Sequence, residues 1–139
     1  MKSFVRSLVA IAGLLVLTAA AAPHAQGTDT VTNVPFAFNV GKTAMPRDSY
    51  TISRLPGHMD AFMIRGLRHT AIVTSQPADR GADATPRLVF HRYGDSYFLR
   101  EVHLGGSAGF ELPATRAERD AAERVADAST HEVVVVRAQ

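Results

Sequence analysis

The sequence predicts a mainly β fold: a small antiparallel barrel or sandwich of about seven strands, with one short helix before the C-terminal strand. Three observations predict it. Short apolar runs, several with period-2 alternation, recur at roughly 8–12-residue spacing and are separated by Gly, Pro and Asp turn signals. Only one stretch, close to the C-terminus, is rich in helix formers and opens with a capping signature. The chain has no cysteine, so no disulfide supports the fold and sheet packing must hold it.

The elements follow in order. Gln26 to Thr32 is polar and is expected to be a flexible lead-in. Val34, Phe36, Phe38 and Val40 then alternate with Pro35, Ala37 and Asn39, which predicts one half-buried strand. Pro35 near its start places that strand at an edge. Gly41-Lys42 turns the chain, and Ser49 to Leu55 is a second strand with Tyr50 and Ile52 on one face. Pro56-Gly57 is a strong turn signal. Ala61 to Arg65 is a third strand and His69 to Ser75 a fourth, followed by a polar loop from Gln76 to Pro86.

Arg87 to Tyr93, then Gly94-Asp95, then Ser96 to Leu104 read as a hairpin. A two-residue loop pairs Phe90 with Leu99 and His91 with Phe98. That register puts Leu88, Phe90, Tyr97 and Leu99 on one face and Val89, Phe98, Val102 and Leu104 on the other. Large apolar groups on both faces predict a central hairpin covered on both sides. Gly105 to Gly109 is a flexible loop. Thr115 and Glu118 form a capping box ahead of a helix from Arg116 to Ala126, with Ala117, Ala121 and Val125 as a narrow, weakly apolar stripe. His131 to Arg137 is a final strand whose four consecutive valines favour burial on both faces. Left at an edge, it would invite pairing with another chain.

Residues 1–25 form a three-part pattern: Lys2 and Arg6, the apolar run Leu8 to Leu17, then small residues up to Ala25. That is the pattern of a secretory signal peptide. Only 16 residues, Ser7 to Ala22, separate Arg6 from Pro23, short of the roughly 20 strongly apolar residues of a spanning helix. The expectation is removal of 1–25, a secreted or periplasmic destination, and one β-rich domain over 26–139. Cleavage after Ala25 puts Pro23 third-last; cleavage after Ala21 leaves a clean Ala-x-Ala and a ragged start. Fifteen Lys and Arg, less Lys2 and Arg6, leave 13 against 13 Asp and Glu. A neutral domain without a basic cluster argues against nucleic acid as a partner. No transmembrane segment is expected after cleavage.

Several residues invite a chemical reading, and each has a plainer one. Gly105-Gly106-Ser107-Ala108-Gly109 matches G-x-S-x-G, with His131 further on as a base. No helix starts at Ala108, because Phe110-Glu111-Leu112-Pro113 intervenes, so a flexible connector is the simpler account. His58, His69, His91, His103 and His131 show no zinc-ligand spacing, and the simple register points His91 and His103 to opposite faces. A bulge would reverse that facing. No metal or cofactor is expected. Asp95 is a turn residue beside Gly94. His91, Arg92, Tyr93, Asp95 and Tyr97 cluster in sequence at the hairpin tip, where aromatics and Arg suit recognition of a sugar or a peptide.

Val34 to Val40, Met45-Pro46 with Ser49 to Ile52, and Leu88 to Asp95 with Tyr97-Phe98-Leu99 resemble a group of small, uncharacterised secreted β-rich proteins of environmental bacteria. Leu112-Pro113 before a short charged helix also matches that group, whereas Arg47-Asp48 stands where it tends to have Ala-Gly. The resemblance implies compartment and fold, and carries no activity. The expected function is therefore that of an exported, non-enzymatic β-domain. It would bind an envelope or extracellular protein or a glycan, or serve a structural role there. Two alternatives stand beside it: a small secreted serine hydrolase using Ser107 and His131, and a protein that self-assembles through the Val133 to Val136 strand as a homo-oligomer.

Overall fold

The computed structural model describes residues 29–78, 85–106, 109–125 and 131–138. The expected signal peptide lies outside them. The described residues are mainly β, with eleven strands and one helix, numbered here in chain order. One antiparallel sheet has the order β1 (Thr30–Val34), β4 (Asp48–Arg54), β5 (Ala61–Arg65), β6 (Thr70–Thr74). The other has the order β11 (His131–Arg137), β8 (Arg87–Tyr93), β9 (Ser96–His103), β10 (Gly109–Glu111), β7 (Gln76–Ala78). To it are added β2 (Phe38–Val40) and β3 (Thr43–Met45), β2 meeting β9 in parallel at Asn39 and Phe98. The helix α1 spans Arg116–Val125.

The count of about seven strands is thus too low. The extra ones are mostly three-residue pieces, too short to show a period. A closed barrel is also excluded, because among the described residues both sheets are open. The expected strand from Val34 to Val40 is two strands in two sheets. Pro35 has no N–H to donate, and the chain leaves the first sheet there and enters the second at Phe38. The polar lead-in ends earlier than expected. Thr30 and Thr32 are buried in β1 opposite Ile52 and Tyr50, their methyl groups serving on an inward face that a polarity reading assigns to solvent. The expected loop after Ser75 begins with β7, which pairs with β10, itself begun at the last glycine of the expected Gly105 to Gly109 loop.

One core joins the two sheets. Val34, Tyr50, Ile52, Phe62 and Ile64 from the first meet Phe38, Leu88, Phe90, Leu99 and Val102 from the second. Phe38 packs edge-on against Tyr50 with ring centres 5.3 Å apart, and Phe62 meets Phe110 at 4.8 Å. Burying each such ring contributes about 1.5–3 kcal/mol, more where edge-to-face geometry is satisfied. Arg54 lies over both Phe62 and Phe110, its guanidinium 4.8 Å from the Phe110 ring centre.

The β8–β9 hairpin has the expected register at its tip, Phe90 opposite Leu99 and His91 opposite Phe98, with Gly94 at φ +59° in the turn. Further down, β9 carries one extra residue. Val89 faces Glu101, so Arg100 has no counterpart. An extra residue reverses the facing of everything beyond it. Val102, expected on the outer face, enters the shared core, and Leu104 packs against it too. Val89 and Phe98 stay buried on the outer face, so the hairpin is covered on both sides as expected.

The four valines are not buried on both faces. β11 is an outer strand, with Val134 and Val136 packed inward and Val133 and Val135 about half exposed at 52% and 51%. The helix stripe is also displaced: Glu118 and Ala121 are buried, and Ala117 is exposed.

Asp48 ties the β5–β6 turn to the start of β4. Its carboxylate accepts the Leu67 N–H at 2.9 Å and the Ser49 N–H at 2.8 Å. These two backbone bonds hold its pKa below the ordinary 3.8. A carboxyl whose folded pKa is depressed stabilises the fold above its unfolded pKa and loses that contribution as pH falls through the folded value. Asp48→Asn should therefore lower the melting temperature at pH 7, and the gap from wild type should narrow as pH falls below the ordinary carboxylate range in thermal scans across pH.

Candidate functional site

Alternation along the hairpin splits the five tip residues between two faces. Arg92 and Tyr97 stand opposite one another on the side of the shared core. Arg92 donates to the Gly94 carbonyl at 2.8 Å, pairs with Glu132 of β11 at 3.0 Å, and lies over the Tyr97 ring at 5.4 Å. Tyr97 stacks on Phe36 with centres 4.1 Å apart and rings within 17° of parallel. His91 and Tyr93 point the other way, toward α1. Asp95 is exposed in the turn. The five residues therefore do not form one patch: Arg92, Tyr97 and Phe36 make one group, His91 and Tyr93 another.

The second group centres on Glu118, 3% exposed in the first turn of α1. Its backbone N–H donates to the Thr115 hydroxyl at 3.2 Å, which is half of the expected capping box. Its carboxylate does not return to the helix start. One oxygen, Oε1, accepts from Arg100 at 3.1 Å and from the Tyr93 hydroxyl at 3.4 Å, and lies 3.6 Å from His91 Nδ1. Arg100 also bonds Glu111 at 2.7 Å, and its carbonyl accepts the Leu112 N–H at 2.7 Å. Arg100 points outward here because it follows core-facing Leu99 in the strand.

The electrostatics fit an anchor. Burial works against the Arg100 charge, but Glu118 and then Glu111 outweigh it and hold its pKa above the ordinary value. Burial first, then the Glu118 charge and hydrogen bond, push the Tyr93 phenol up. A phenol pushed up and a guanidinium held charged are poor partners for proton transfer near neutral pH. The cluster ties α1 to the hairpin.

The bulge brings His91 and His103 to the same face, yet each meets its own carboxylate. His103 Nε2 is 2.8 Å from Glu101, and its ring packs on Gly109, where a Cβ would come within 2.7 Å of it. His58 and His69 are exposed in turns. Among the described residues no three His, Asp or Glu side chains converge as metal ligands. Ser107 and the His131 side chain lie outside the described residues. The His131 backbone pairs with Tyr93. Among the described residues no helix is long and apolar enough to cross a membrane.

Sequence reading missed three participants. Glu118 reads as a cap because its spacing from Thr115 is ideal for one. Arg100 is hidden because its partner Glu118 lies 18 residues further on, on the helix. Lys42, read only as part of a turn, borders a cavity of about 220 Å³ between the 41–42 turn, β6 and segment 112–115. Compared with protein-family models, curated proteins and solved structures, the chain matches none of them.

Removing one partner of a buried pair strands the other charge, whereas replacing both with apolar groups can be neutral. Glu118→Gln should cost about 3 kcal/mol in urea unfolding. The double variant Glu118→Met, Arg100→Met should recover most of that loss.

Proposed function

We propose that this chain is an exported, non-enzymatic β-domain that binds a protein or glycan of the envelope or extracellular space, or builds structure there. One observation carries the reading. The ionisable set that the fold gathers, Glu118 with Arg100, His91 and Tyr93, ties helix to sheet, while the surface on the hairpin's other side is of a recognition type. That surface is Arg92 lying over Tyr97, with Phe36 stacked behind, and aromatic and Arg side chains of this kind anchor interfaces. The basic, apolar and small-residue pattern of 1–25 supports export. The balance of 13 basic and 13 acidic residues after it supports a partner other than nucleic acid. We read the two open sheets as the layers of a sandwich, supported by the core they share.

Arg92 is part-exposed and Glu132 more so, and their pair is of the surface kind, which contributes about 0–1 kcal/mol. Arg92→Ser combined with Asp95→Ser should leave the melting temperature within about 2 °C of wild type. The same variant should lose capture from envelope extract and on a glycan array. Capture unchanged from wild type rejects the hairpin tip as the contact.

A second reading is self-assembly through β11, favoured by its position as an outer strand with Val133 and Val135 facing out. An exposed apolar edge strand invites pairing with another copy. Light scattering after size exclusion should show an oligomer for wild type and a monomer for Val135→Lys. A wild-type monomer rejects this reading.

A further inference from the structure

The cavity beside Lys42 is lined by three consecutive residues of β6: Ile72, Val73 and Thr74. Successive side chains of a strand point to opposite faces, so three in a row border one cavity only where it runs along the strand's backbone edge. β6 is the last strand of its sheet, paired with β5 alone. The hydrogen bonds that flank the pair set the phase of its ladder. Ser75 N–H donates to the Asp60 carbonyl at 2.7 Å, and Gly66 N–H to the His69 carbonyl at 2.8 Å. Antiparallel bonding alternates by two. Val73 and Ala71 therefore bond inward to β5, opposite Phe62 and Ile64. Ile72 and Thr74 aim their backbone N–H and C=O groups away from β5, into the cavity.

The facing wall is mostly apolar. It is built of Leu112, Pro113 and Thr115, apolar except for the threonine hydroxyl. The 41–42 turn closes one side, held near β6 because Gly41 lies close to the Val73 side chain. Lys42 is exposed there, and among the described residues it has no carboxylate partner. The groove thus offers a row of backbone donors and acceptors, an apolar flank at Ile72, which is 61% exposed, and a positive charge with no partner among the described residues. Backbone pairing along a free edge with selection by alternate side chains is the mode of β-strand addition.

We propose that the free edge of β6 receives an extended, acidic segment of a partner protein as a fifth strand of the four-stranded sheet, with Lys42 pairing its carboxylate. The proposal rests on the reading of the chain as a binding domain but uses a site remote from Arg92 and Tyr97 in sequence and sheet, so the two fail separately.

The test is selection of random ten-residue peptides, displayed on phage, against the purified protein. Enriched peptides should alternate apolar residues and carry Asp or Glu. A synthetic copy of the strongest should slow amide exchange at Ile72 and Thr74. Lys42→Glu should weaken its binding at least tenfold. Thr74→Pro removes a donor that points into the groove and none that bonds β5, so the sheet should keep its melting temperature while peptide binding is lost. Arg92→Ser should leave peptide binding unchanged. No enrichment over an unrelated protein overturns the proposal, as does binding that survives both groove variants. A wild-type oligomer that Thr74→Pro dissociates would give the groove to a second copy instead, and would equally overturn it.

Discussion

One extra residue in β9 organises the second sheet. Because Arg100 has no counterpart on β8, the strand beyond it turns over, and Val102 drops into the core. Arg100 itself faces outward, where it draws the Glu118 carboxylate in from α1 at 3.1 Å and brings the helix with it. Its carbonyl takes the Leu112 N–H, which fixes where the chain leaves β10 and heads for the helix. Without the bulge, Arg100 would still face outward, but Val102 would join it against the helix, and Glu101 and His103 would turn into the apolar core, a burial costing several kcal/mol. The inward packing of β9 beyond Leu99 follows from that extra residue.

Pro35 sets the other constraint. A strand that changes sheets must break its ladder, and the residue that lacks an N–H sits at the break. The crossing lets Val34 and Phe38, four residues apart, serve opposite sheets and still meet the same core. It also makes β1 an outer strand of one sheet while β2 reaches β9 in the other. The architecture that results has free edges where a barrel would have none.

Much of this was legible in the residues. Alternation located β4, β5, β6, β8 and β9 to within about one residue, and the Gly94-Asp95 turn fixed the hairpin register. What escaped has physical reasons. The strands β3, β7 and β10 have three residues each, and their existence depends on partners distant in the chain. Thr30 and Thr32 bury methyl-bearing side chains that polarity assigns to water. Four valines in a row carry no record of which face a neighbour covers, so β11 reads as buried although its outward valines are half exposed. Of the candidate site, Arg92 and Tyr97 were found together, but the partition of the tip between two faces needed the pairing register to be seen with the helix in place. Ser107 remains a sequence motif alone.

The half-made capping box has a consequence for how the molecule comes apart. A helix of ten residues is below the length that stands alone in water. Here one of its two capping bonds is absent, because the Glu118 side chain reaches across to the sheet. The only apolar side chain it buries fully is Ala121. Its stability is therefore borrowed through a charge held by a strand, and α1 forms a separate, weaker tier of the structure.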